Sequence, residues 1–580
     1  MSVILGLNAF HPDAAACLVI DGKLVGAVAE ERLGERFKHS EKFPENAVRW
    51  LLVDNGLKLA DVTHVTMARD PSANSAAKRR WVLQNPVTGI GSAVDHFKRR
   101  GKTRSMIDSL SEMCGEDASA QSFQTVPVEH HLAHIASAYY VSSFEGLTAG
   151  FSYDGSGDFA SAMAARCEGT TITPLGRVTL PDSLGFFYTA ICQFIGFERF
   201  GEEYKVMGLA PYGEDKYADA MKRLVTLTDD GWFRLGKGYF GMHESRRGGV
   251  RERLHVDTLF GAGMTTEFGP PRRRDDPLTQ REMDIARSAQ VRFEEAALHC
   301  LNHLHRQVPT GQLVMAGGCA LNGVANARIL RETPFTTPYL QAAASDDGAC
   351  LGAAYHVWHQ VEGRKERFHM EHAAWGPGYS DDRIRKVAEE SGFAVTVCAD
   401  DAELVDVASG LIAEGLVTGW YQGRSEWGPR ALGNRSILAN PAILTMKDTI
   451  NAKIKRRESF RPFAPSVLRE MVSTYFEQDV YSPFMMHVVK LKPEWHARLP
   501  AITHVDGTGR LQSVDPASNP LYHKLITAFH RRTGIGMVLN TSFNENEPVV
   551  DTPEQALACF ARTEMDALCL GRFILRKPTV

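Results

Sequence analysis

The sequence lacks several features that would each have indicated a particular class of protein. Its ten cysteines are scattered without a single CxxC pair, so they predict neither a zinc ribbon nor a disulfide framework. No apolar run approaches the roughly 20 residues that a membrane-spanning helix requires. The formal net charge is -4, which provides no global basic field for nucleic acid. Since the chain also starts without a signal-peptide pattern, we expect a cytoplasmic protein with no membrane and no nucleic-acid partner.

The composition of the chain is typical of a globular protein. The sequence has 580 residues, of which 44% are hydrophobic and 23% are charged. This length exceeds one hydrophobic core and predicts about three to four domains' worth of material. Residues 3–31 alternate in polarity like strands around the turn Asp21-Gly22, which predicts a β-hairpin near the start.

Two short stretches near the middle of the first half suggest a metal site. Residues 128–134 contain three histidines, and residues 152–158 place an aspartate among glycines. If the first stretch is helical, His130 and His134 lie one turn apart on the same face and can share one metal ion. We predict that Asp154 ends an apolar strand and opens a glycine turn, where its carboxylate can meet a phosphate-bound cation. The alternative is that the histidines cap a helix and fill a polar gap, and the pair alone leaves both interpretations open.

Further glycine turns follow in an α/β pattern. Residues 279–308 predict a long amphipathic helix, which leads into a short strand and the turn Gly317-Gly318. A glycine pair between strand and helix lets backbone amides approach a nucleotide. A second turn of acid and glycine, Asp346-Asp347-Gly348, opens a helix of small residues. Earlier in the chain, Lys205 either places an ammonium group against a phosphate or belongs to a helix N-terminus that packs on a loop.

The types of motif change beyond residues 375–378, where we place a domain boundary. Arginines and lysines there are set among glycine, proline and phenylalanine, which is unusual for a solvated helix. The planar fork of arginine suits bidentate binding of a phosphate or acyl phosphate. We favour an anion pocket over an internal arginine–glutamate network. The stretches concerned are 423–436, 451–463, 504–510 and 539–544.

Three charged stretches have competing interpretations. Residues 30–39 form a dense charged run, which is typical of a solvated face, but this run follows a buried-looking strand and is a candidate for lining a cleft. The basic stretch 78–104 is favoured as a solvated helical face over a grip for an anionic acceptor. Residues 240–275 are rich in glycine, arginine and proline and predict a long loop. The loops 70–125 and 240–275 are expected to contact a substrate, but they do not reveal which one.

Taken together, these motifs resemble the NodU/CmcH/TobZ-type O-carbamoyltransferases almost from end to end. Several long motifs in the same order make the resemblance specific. They are the histidine-bearing first loop, His130-His131-Leu132-Ala133-His134, Tyr153-Asp154-Gly155, residues 203–210, Gly317-Gly318-Cys319-Ala320-Leu321-Asn322, Asp346-Asp347-Gly348, residues 428–436, Phe460-Arg461-Pro462-Phe463-Ala464-Pro465 and Asn540-Thr541-Ser542-Phe543-Asn544.

The resemblance implies an α/β protein with two domains. Residues 1–370 are expected to form an actin/sugar-kinase/Hsp70-like superfold domain, in the version used by tRNA threonylcarbamoyl transferases. Residues 371–580 are expected to form a YrdC-like α/β domain. The second domain would convert carbamoyl phosphate and ATP into carbamoyl adenylate and pyrophosphate. The first would transfer the carbamoyl group to a hydroxyl of a small-molecule acceptor, such as a natural product, a sugar or a toxin. A homodimer is a plausible assembly.

The resemblance also implies roles for individual residues. The metal ligands, for Fe2+ with Mg2+ accompanying ATP, would be His130, His134, Asp154 and Asp346. Carbamoyl phosphate and its adenylate would be bound by Arg430, Lys455, Arg461, Arg510, Asn540 and Ser542. His11 would be the base or orienting group beside the carbamoyl group, and the other catalytic residues would be His130 and Lys205. A nucleotide in the first domain would contact Gly155, Gly317, Gly318 and Asn322.

Two other functions compete with this one. A fused tRNA threonylcarbamoyl-type enzyme would need a continuous basic face, and the slightly acidic total charge argues against it. A kinase or nucleotide-dependent module of the actin/Hsp70 superfold would release ADP, and it leaves the arginine-rich C-terminal half without a role.

Overall fold

The structure is a computed structural model that describes residues 1–84, 106–115, 122–241, 250–251, 255–256, 258–458 and 460–577. Most of the basic stretch 78–104, and parts of the expected substrate loops 70–125 and 240–275, lie outside these described residues. The chain divides into two compact units. The first unit consists of Met1–Glu30 and His39–His369, and the second unit consists of Glu31–Lys38 and Met370–Val580. The expected domains, 1–370 and 371–580, are each continuous in sequence, whereas in the structure Glu31–Lys38 belongs to the second unit. The separate chemical roles of the two domains stay a prediction.

The first unit contains two five-stranded sheets that share one topology. In the first sheet, three antiparallel strands are followed by two strands parallel to the third. The order across this sheet is Lys23–Ala29, Ala15–Ile20, Val3–Asn8, His64–Met67 and Gln124–Pro127. The second sheet repeats the pattern in the order Thr171–Thr179, Ala160–Glu168, Thr148–Gly157, Gln312–Ala316 and Thr337–Leu340. This duplication is the actin/Hsp70-like arrangement, and it confirms the predicted fold class of the first half.

Helices cover these sheets because their central strands are apolar on both faces. All six residues of Val3–Asn8 are buried, as expected for a strand covered on each side. The helices of the first unit are Glu45–Asp54, Ser75–Gln84, 106–114, His130–Tyr139, Leu184–Phe194, Tyr204–Leu209, Ala218–Leu224, Ala262–Phe268, Gln280–Gln307, Gly323–Glu332 and Asp346–His356. Two small hairpins pair Val225–Leu227 with Phe233–Leu235 and Val250–Arg251 with His255–Val256.

Two local sequence signals in this unit are confirmed, namely the long helix and the first hairpin turn. The predicted long helix starts at Gln280, where Thr279 and Glu282 form a reciprocal capping box. The predicted hairpin turn has positive φ angles of 46° at Asp21 and 79° at Gly22, as a tight two-residue turn requires.

The second unit is built on one mixed sheet of nine strands, which confirms the predicted α/β class. The order is Ala394–Val397, Phe573–Arg576, Ala567–Leu570, Thr418–Tyr421, Arg435–Ala439, Met537–Ser542, Ala464–Leu468, Thr508–Val514 and His487–Lys490. Its helices are Asp381–Glu389, Asp401–Ala413, Met446–Ile450, Val472–Tyr475, Pro493–His496, Pro520–Thr533 and Pro553–Arg562. Among the helices of the described ranges, none combines the length and the apolar composition that crossing a membrane requires.

Candidate metal centre and cation cluster

The histidine-rich stretch forms the helix His130–Tyr139, as its spacing predicts. Glu129 caps this helix, because its carboxylate accepts a hydrogen bond of 2.8 Å from the backbone N–H of Leu132. His130 and His134 are buried and face each other from successive turns, with their Nε2 atoms 3.0 Å apart. The two imidazole nitrogens therefore converge on one point.

Asp154 reaches the same point by a different route from the one predicted. It does not end its strand but lies inside Thr148–Gly157, where the register with the neighbouring strand shifts between Tyr153 and Gly157. Such a bulge turns a side chain away from the regular alternation of a strand. Ser183 Oγ holds the bulge by donating to the carbonyl of Gly155 at 2.7 Å. The Asp154 carboxylate then lies 3.2 Å from His134 Nε2.

Asp346 and His11 complete the cluster. Asp346 is the first residue of the helix Asp346–His356, and its Oδ1 atom lies 3.4 Å from His130 Nε2 and 3.3 Å from His134 Nε2. Its other oxygen contacts Nδ1 of His11, which follows the first strand of the chain. The four predicted ligands and the predicted orienting histidine are thus brought together.

The geometry of these four residues fits a divalent cation. One ligand atom from each of the four residues lies within 4.8 Å of the others. Atoms about 2.1 Å from one cation are separated by about 3.0 to 3.4 Å when they are adjacent ligands, which matches most of the pairs above. Asp346 Oδ1 is buried and accepts no hydrogen bond from the described residues, as a metal-ligating oxygen would. A set of imidazoles and carboxylates suits iron, zinc or manganese.

The pKa shifts of His130 and Asp346 also favour a cation at this site. Burial lowers the pKa of His130, but the negative charges of Asp346 and Asp154 outweigh burial and raise it well above the ordinary value. Burial opposes ionisation of Asp346, but His11 and His130 hold its pKa well below the ordinary value. The carboxylate is therefore ionised and needs positive charge beside it. A bound cation would supply that charge in place of imidazolium protons.

The third histidine of the stretch has a structural role. His131 is buried with its Nδ1 atom 3.0 Å from Ser152 Oγ. Burial, together with His130 and His134, lowers its pKa well below the ordinary value, so its ring is neutral. The alternative of a histidine that fills a polar gap therefore describes His131, and metal binding by His130 and His134 stays a prediction.

Two aspartates that sequence reasoning did not assign hold the cluster in place. Asp158 Oδ2 accepts hydrogen bonds from the backbone N–H of His130 at 3.0 Å and of Asp70 at 2.8 Å. Asp13 contacts His39 Nδ1 and Ser345 Oγ, each at 2.6 Å, and Ser345 precedes Asp346. The sequence feature that could have indicated these two aspartates is their position. Asp158 is the last residue of the glycine-containing stretch 152–158, and Asp13 lies two residues after His11.

We expect Gly157→Ala to disrupt the metal centre. A Cβ atom at Gly157 would lie 2.0 Å from Cδ2 of His130, so the ring would have to move. Overpacking of this kind costs about 1–3 kcal/mol of unfolding free energy, and we expect metal affinity to fall about tenfold or more. Thermal unfolding and metal titration measure both effects.

A second glycine provides the control. At Gly410, inside the helix Asp401–Ala413, a Cβ atom would meet nothing closer than Arg532 at 3.8 Å. Gly410→Ala should therefore stabilise the protein by about 0.5–1 kcal/mol and leave metal binding unchanged. If Gly157→Ala behaved like Gly410→Ala, the placement of the His130 ring would be wrong.

Lys205 makes contacts of a structural kind. Its buried ammonium group lies 2.8 Å from Glu202 Oε1 and 4.7 Å from the ring centroid of Phe197. Lys205 lies in the first turn of the helix Tyr204–Leu209. This position agrees with the alternative interpretation, in which Lys205 belongs to a helix N-terminus that packs on a loop. Its catalytic role stays a prediction.

Three of the predicted nucleotide-binding residues, Gly155, Gly317 and Gly318, lie close to Asp154 or to its neighbours in sequence. Gly317 has a φ of 97°, and a Cβ atom there would lie 2.2 Å from the carbonyl oxygen of Tyr153. A Cβ atom at Gly318 would lie 2.9 Å from Asp154 Oδ1, and one at Gly155 would lie 3.2 Å from Phe186. These glycines permit close packing around Asp154, and their contact with a nucleotide stays a prediction.

Asn322 acts as a helix cap in the structure. Its Oδ1 atom accepts a hydrogen bond of 3.1 Å from the backbone N–H of Ala325, at the start of the helix Gly323–Glu332. Its side chain also exchanges two hydrogen bonds with Gln290, at 3.0 and 3.1 Å. A role in nucleotide binding would come in addition to this capping.

The second unit gathers several cations around two arginines. The Nε atom of Arg510 is buried and has no hydrogen-bond partner in the described part of the chain. Burial and the neighbouring charges of Arg430, Arg457 and Arg461 hold the pKa of Arg510 well below its ordinary value. Burial lowers the pKa of Arg430 to about 10. Like charges crowded in a desolvated place are unfavourable without an anion, which is the arrangement expected of a phosphate site.

Lys455 adds a fully buried ammonium group to this cluster. Its Nζ atom donates to the carbonyl oxygens of Ser542 at 2.5 Å and of Asn544 at 2.8 Å, and to Asn544 Oδ1 at 2.8 Å. Burial is the largest cause that lowers its pKa well below the ordinary value, followed by the charge of Arg457. Asn540 donates to the carbonyl of Ala431 at 3.0 Å and so holds the loop that carries Arg430.

The same half of the chain also contains a structural arginine. Arg435 is completely buried, donates to the carbonyl oxygens of Gln422 at 2.8 Å and Gly423 at 3.1 Å, and lies 3.7 Å from the ring centroid of Tyr421. The alternative of an internal network therefore describes Arg435, whereas Arg510 lacks such partners at Nε.

The fold and the site define an α/β protein with an actin/Hsp70-like unit, a candidate metal centre and a cluster of buried cations. The chain belongs to the carbamoyltransferase family, since residues 3–355 match the carbamoyltransferase N-terminus and residues 409–577 match the carbamoyltransferase C-terminus. The predicted family is thereby confirmed, and the protein is an enzyme of the carbamoyltransferase class.

Individual relatives agree with this assignment. The chain is 37% identical to nodulation protein NolNO of Sinorhizobium fredii, over 99% of this chain and 80% of that protein. It is 33% identical to the 3'-hydroxymethylcephem-O-carbamoyltransferase of Amycolatopsis lactamdurans, over 60% of each. The crystal structure of T. kodakarensis HypF aligns with a TM-score of 0.32 at 13% identity, over 62% of this chain and 48% of that chain. That structural similarity is too low to transfer a fold or a function.

Proposed function

We propose that the protein is an ATP-dependent O-carbamoyltransferase that takes the carbamoyl group from carbamoyl phosphate. Its acceptor would be a hydroxyl of a small molecule, such as a natural product, a sugar or a toxin. The observation that carries the proposal is the cation cluster of the second unit. Burial and the charges of Arg430, Arg457 and Arg461 lower the pKa of Arg510, and its buried Nε atom has no partner among the described residues. Such a site would suit a polyanion such as carbamoyl phosphate or a nucleotide.

The activation step would take place at this cluster. Water would cleave the bond between the carbamoyl group and phosphate, releasing inorganic phosphate and leaving carbamate. An oxygen of carbamate would attack the α-phosphorus of ATP, forming carbamoyl adenylate and expelling pyrophosphate. Arg430, Arg510, Arg461 and Lys455 would stabilise the negative charge that develops on the phosphate oxygens. Asn540 and Ser542 would orient the bound donor.

The transfer step would take place in the first unit. A divalent cation, Fe2+ being the expected one, would be held by His130, His134, Asp154 and Asp346 and would supply Lewis-acid polarisation of the acyl centre. His11 Nδ1 contacts the Asp346 carboxylate, so Nε2 would be the atom of this ring that accepts a proton. The acceptor hydroxyl would lose its proton to this atom as its oxygen attacks the carbamoyl carbon. The bond to AMP breaks, and AMP leaves with its bonding electron pair.

Product analysis without an acceptor tests the activation step. Wild-type protein should release pyrophosphate from ATP only when carbamoyl phosphate is present, and bicarbonate should not replace carbamoyl phosphate. The measurement is a coupled pyrophosphate assay together with chromatographic separation of AMP and ADP. Release of ADP alone, or pyrophosphate release that ignores carbamoyl phosphate, would contradict the proposal and favour the kinase-like alternative.

A further inference from the structure

The short segment Glu31–Lys38 belongs to the second unit, although the chain on both sides of it belongs to the first. It follows the strand Lys23–Ala29 and contains two arginines and a lysine within eight residues. Such a run would ordinarily be solvated. Here its arginines donate hydrogen bonds to residues of the second unit, so the segment packs as part of that unit.

Arg32 is the most buried cation of this segment. Its side chain is only 6% exposed, and Nη2 donates to the carbonyl oxygen of Gly428 at 2.9 Å. The Glu31 carboxylate lies 3.8 Å from Nε, too far for a hydrogen bond. Nη1 is buried and has no hydrogen-bond partner among the residues that the structure describes. One face of this guanidinium group therefore has a donor available for a ligand.

The position of Arg32 places that donor beside the cation cluster. Gly428 lies two residues before Arg430, on the same Gly-Pro-Arg loop. Lys38, at the other end of the segment, is also close to the cluster, since its charge contributes to lowering the pKa of Lys455. The segment therefore adds positive charge where the second unit already has an excess of it.

Arg36 anchors the segment between these two cations. It donates to the carbonyl oxygen of Pro548 at 2.6 Å and to Oε1 of Gln555. Gln555 also completes the capping box of the helix Pro553–Arg562. Both contacts of Arg36 hold the segment against the second unit, whereas Arg32 Nη1 has no partner among the described residues.

We propose that Arg32 is an additional phosphate-binding residue of the second unit, with Nη1 donating to a phosphoryl oxygen of the bound substrate. The inference rests on the proposed function, because that function supplies the phosphorylated ligands. Carbamoyl phosphate and the triphosphate of ATP present the same chemistry to an arginine, namely phosphoryl groups with several anionic oxygens. Arginine suits this contact because its fork holds the Gly428 carbonyl with one nitrogen and an anion with another.

Calorimetric titration of the full-length protein tests the proposal, with carbamoyl phosphate, ATP and inorganic pyrophosphate as three separate probes. Arg32→Gln retains an amide donor for the Gly428 carbonyl but removes the charge and the second nitrogen. We expect at least tenfold weaker binding of one or more probes, which corresponds to about 1.4 kcal/mol. Weaker binding of carbamoyl phosphate alone assigns the contact to that donor. Weaker binding of ATP and pyrophosphate assigns it to the triphosphate.

A control and a second variant keep the test decisive. Arg385→Gln removes one positive charge from an exposed position of the same unit and should leave all three affinities unchanged. If Arg32→Gln fails to fold, Arg32→Lys keeps the charge without the second nitrogen and should bind at least threefold more weakly than wild type. Wild-type affinity in a folded Arg32 variant, or no binding of any probe to wild type, overturns the proposal. The titrations require no turnover, so failure of the pyrophosphate assay would overturn the proposed function separately.

Discussion

Asp346→Asn is expected to reduce bound metal to less than about one-tenth of the wild-type content and carbamoyl transfer by at least about a hundredfold. The substitution keeps the shape of the side chain but removes its charge. Asp346 Oδ1 lies 3.3 and 3.4 Å from the two imidazole nitrogens, and its other oxygen contacts His11. One change would therefore remove a proposed metal ligand and also the partner of His11, the histidine proposed as the base.

Metal content by mass spectrometry and labelled carbamoyl transfer to an acceptor hydroxyl measure the two effects. The neighbouring Asp347 lies outside the cluster of ligand atoms, so Asp347→Asn should retain the metal and serves as the control. Asp346→Asn should also retain release of pyrophosphate without an acceptor, since that step is assigned to the second unit. Equal loss of both steps would contradict the division of the chemistry between the two units.

Arg510→Met is expected to abolish pyrophosphate release while raising the thermal stability of the protein. The arginine is crowded by Arg430, Arg457 and Arg461, and its Nε atom is buried without a partner in the described residues. Methionine fills a similar volume without a charge that has to be desolvated. We expect a gain of about 1 kcal/mol in unfolding free energy and a loss of at least about a hundredfold in the activation step.

Differential scanning calorimetry and the pyrophosphate assay measure these opposite changes. Added pyrophosphate should raise the unfolding temperature of wild type but not of the variant, because a ligand stabilises only the state that binds it. Arg385→Met, at an exposed position of the same unit, should change neither quantity. A large loss of stability in Arg510→Met would instead favour the internal network, and retained activity would exclude Arg510 from the anion site.

The parts of the site that sequence reasoning predicted depend on short-range geometry. His130 and His134 share a face because an α-helix repeats every 3.6 residues, and any helix there would bring them together. The acidic turn at Asp346 opens a helix for the same local reason. The end of the strand at Asp154 was predicted wrongly, because its bulge depends on pairing with Ala160–Glu168 and on Ser183, neither of which is local.

The charged run of residues 30–39 shows where local reasoning stops. Its composition favours a solvated face, and Glu35 and Phe37 are indeed exposed. Arg32 is nevertheless buried against the carbonyl of Gly428, which lies 396 positions away in the chain. No pattern within the run distinguishes Arg32 from Arg36, since each is an arginine beside a glutamate.

By itself, the sequence determined the carbamoyltransferase family, the α/β class, the pair of histidines on one helical face and the arginine-rich stretches of the C-terminal half. These features follow from motif order, helical periodicity and composition, which are properties of neighbouring residues. Only the tertiary structure decided which histidine is structural, how Asp154 turns toward His134, and that Arg32 belongs to the second unit. Those outcomes depend on contacts between residues that are distant in sequence, and burial in such contacts determines which side chains lose water and which need a charged partner.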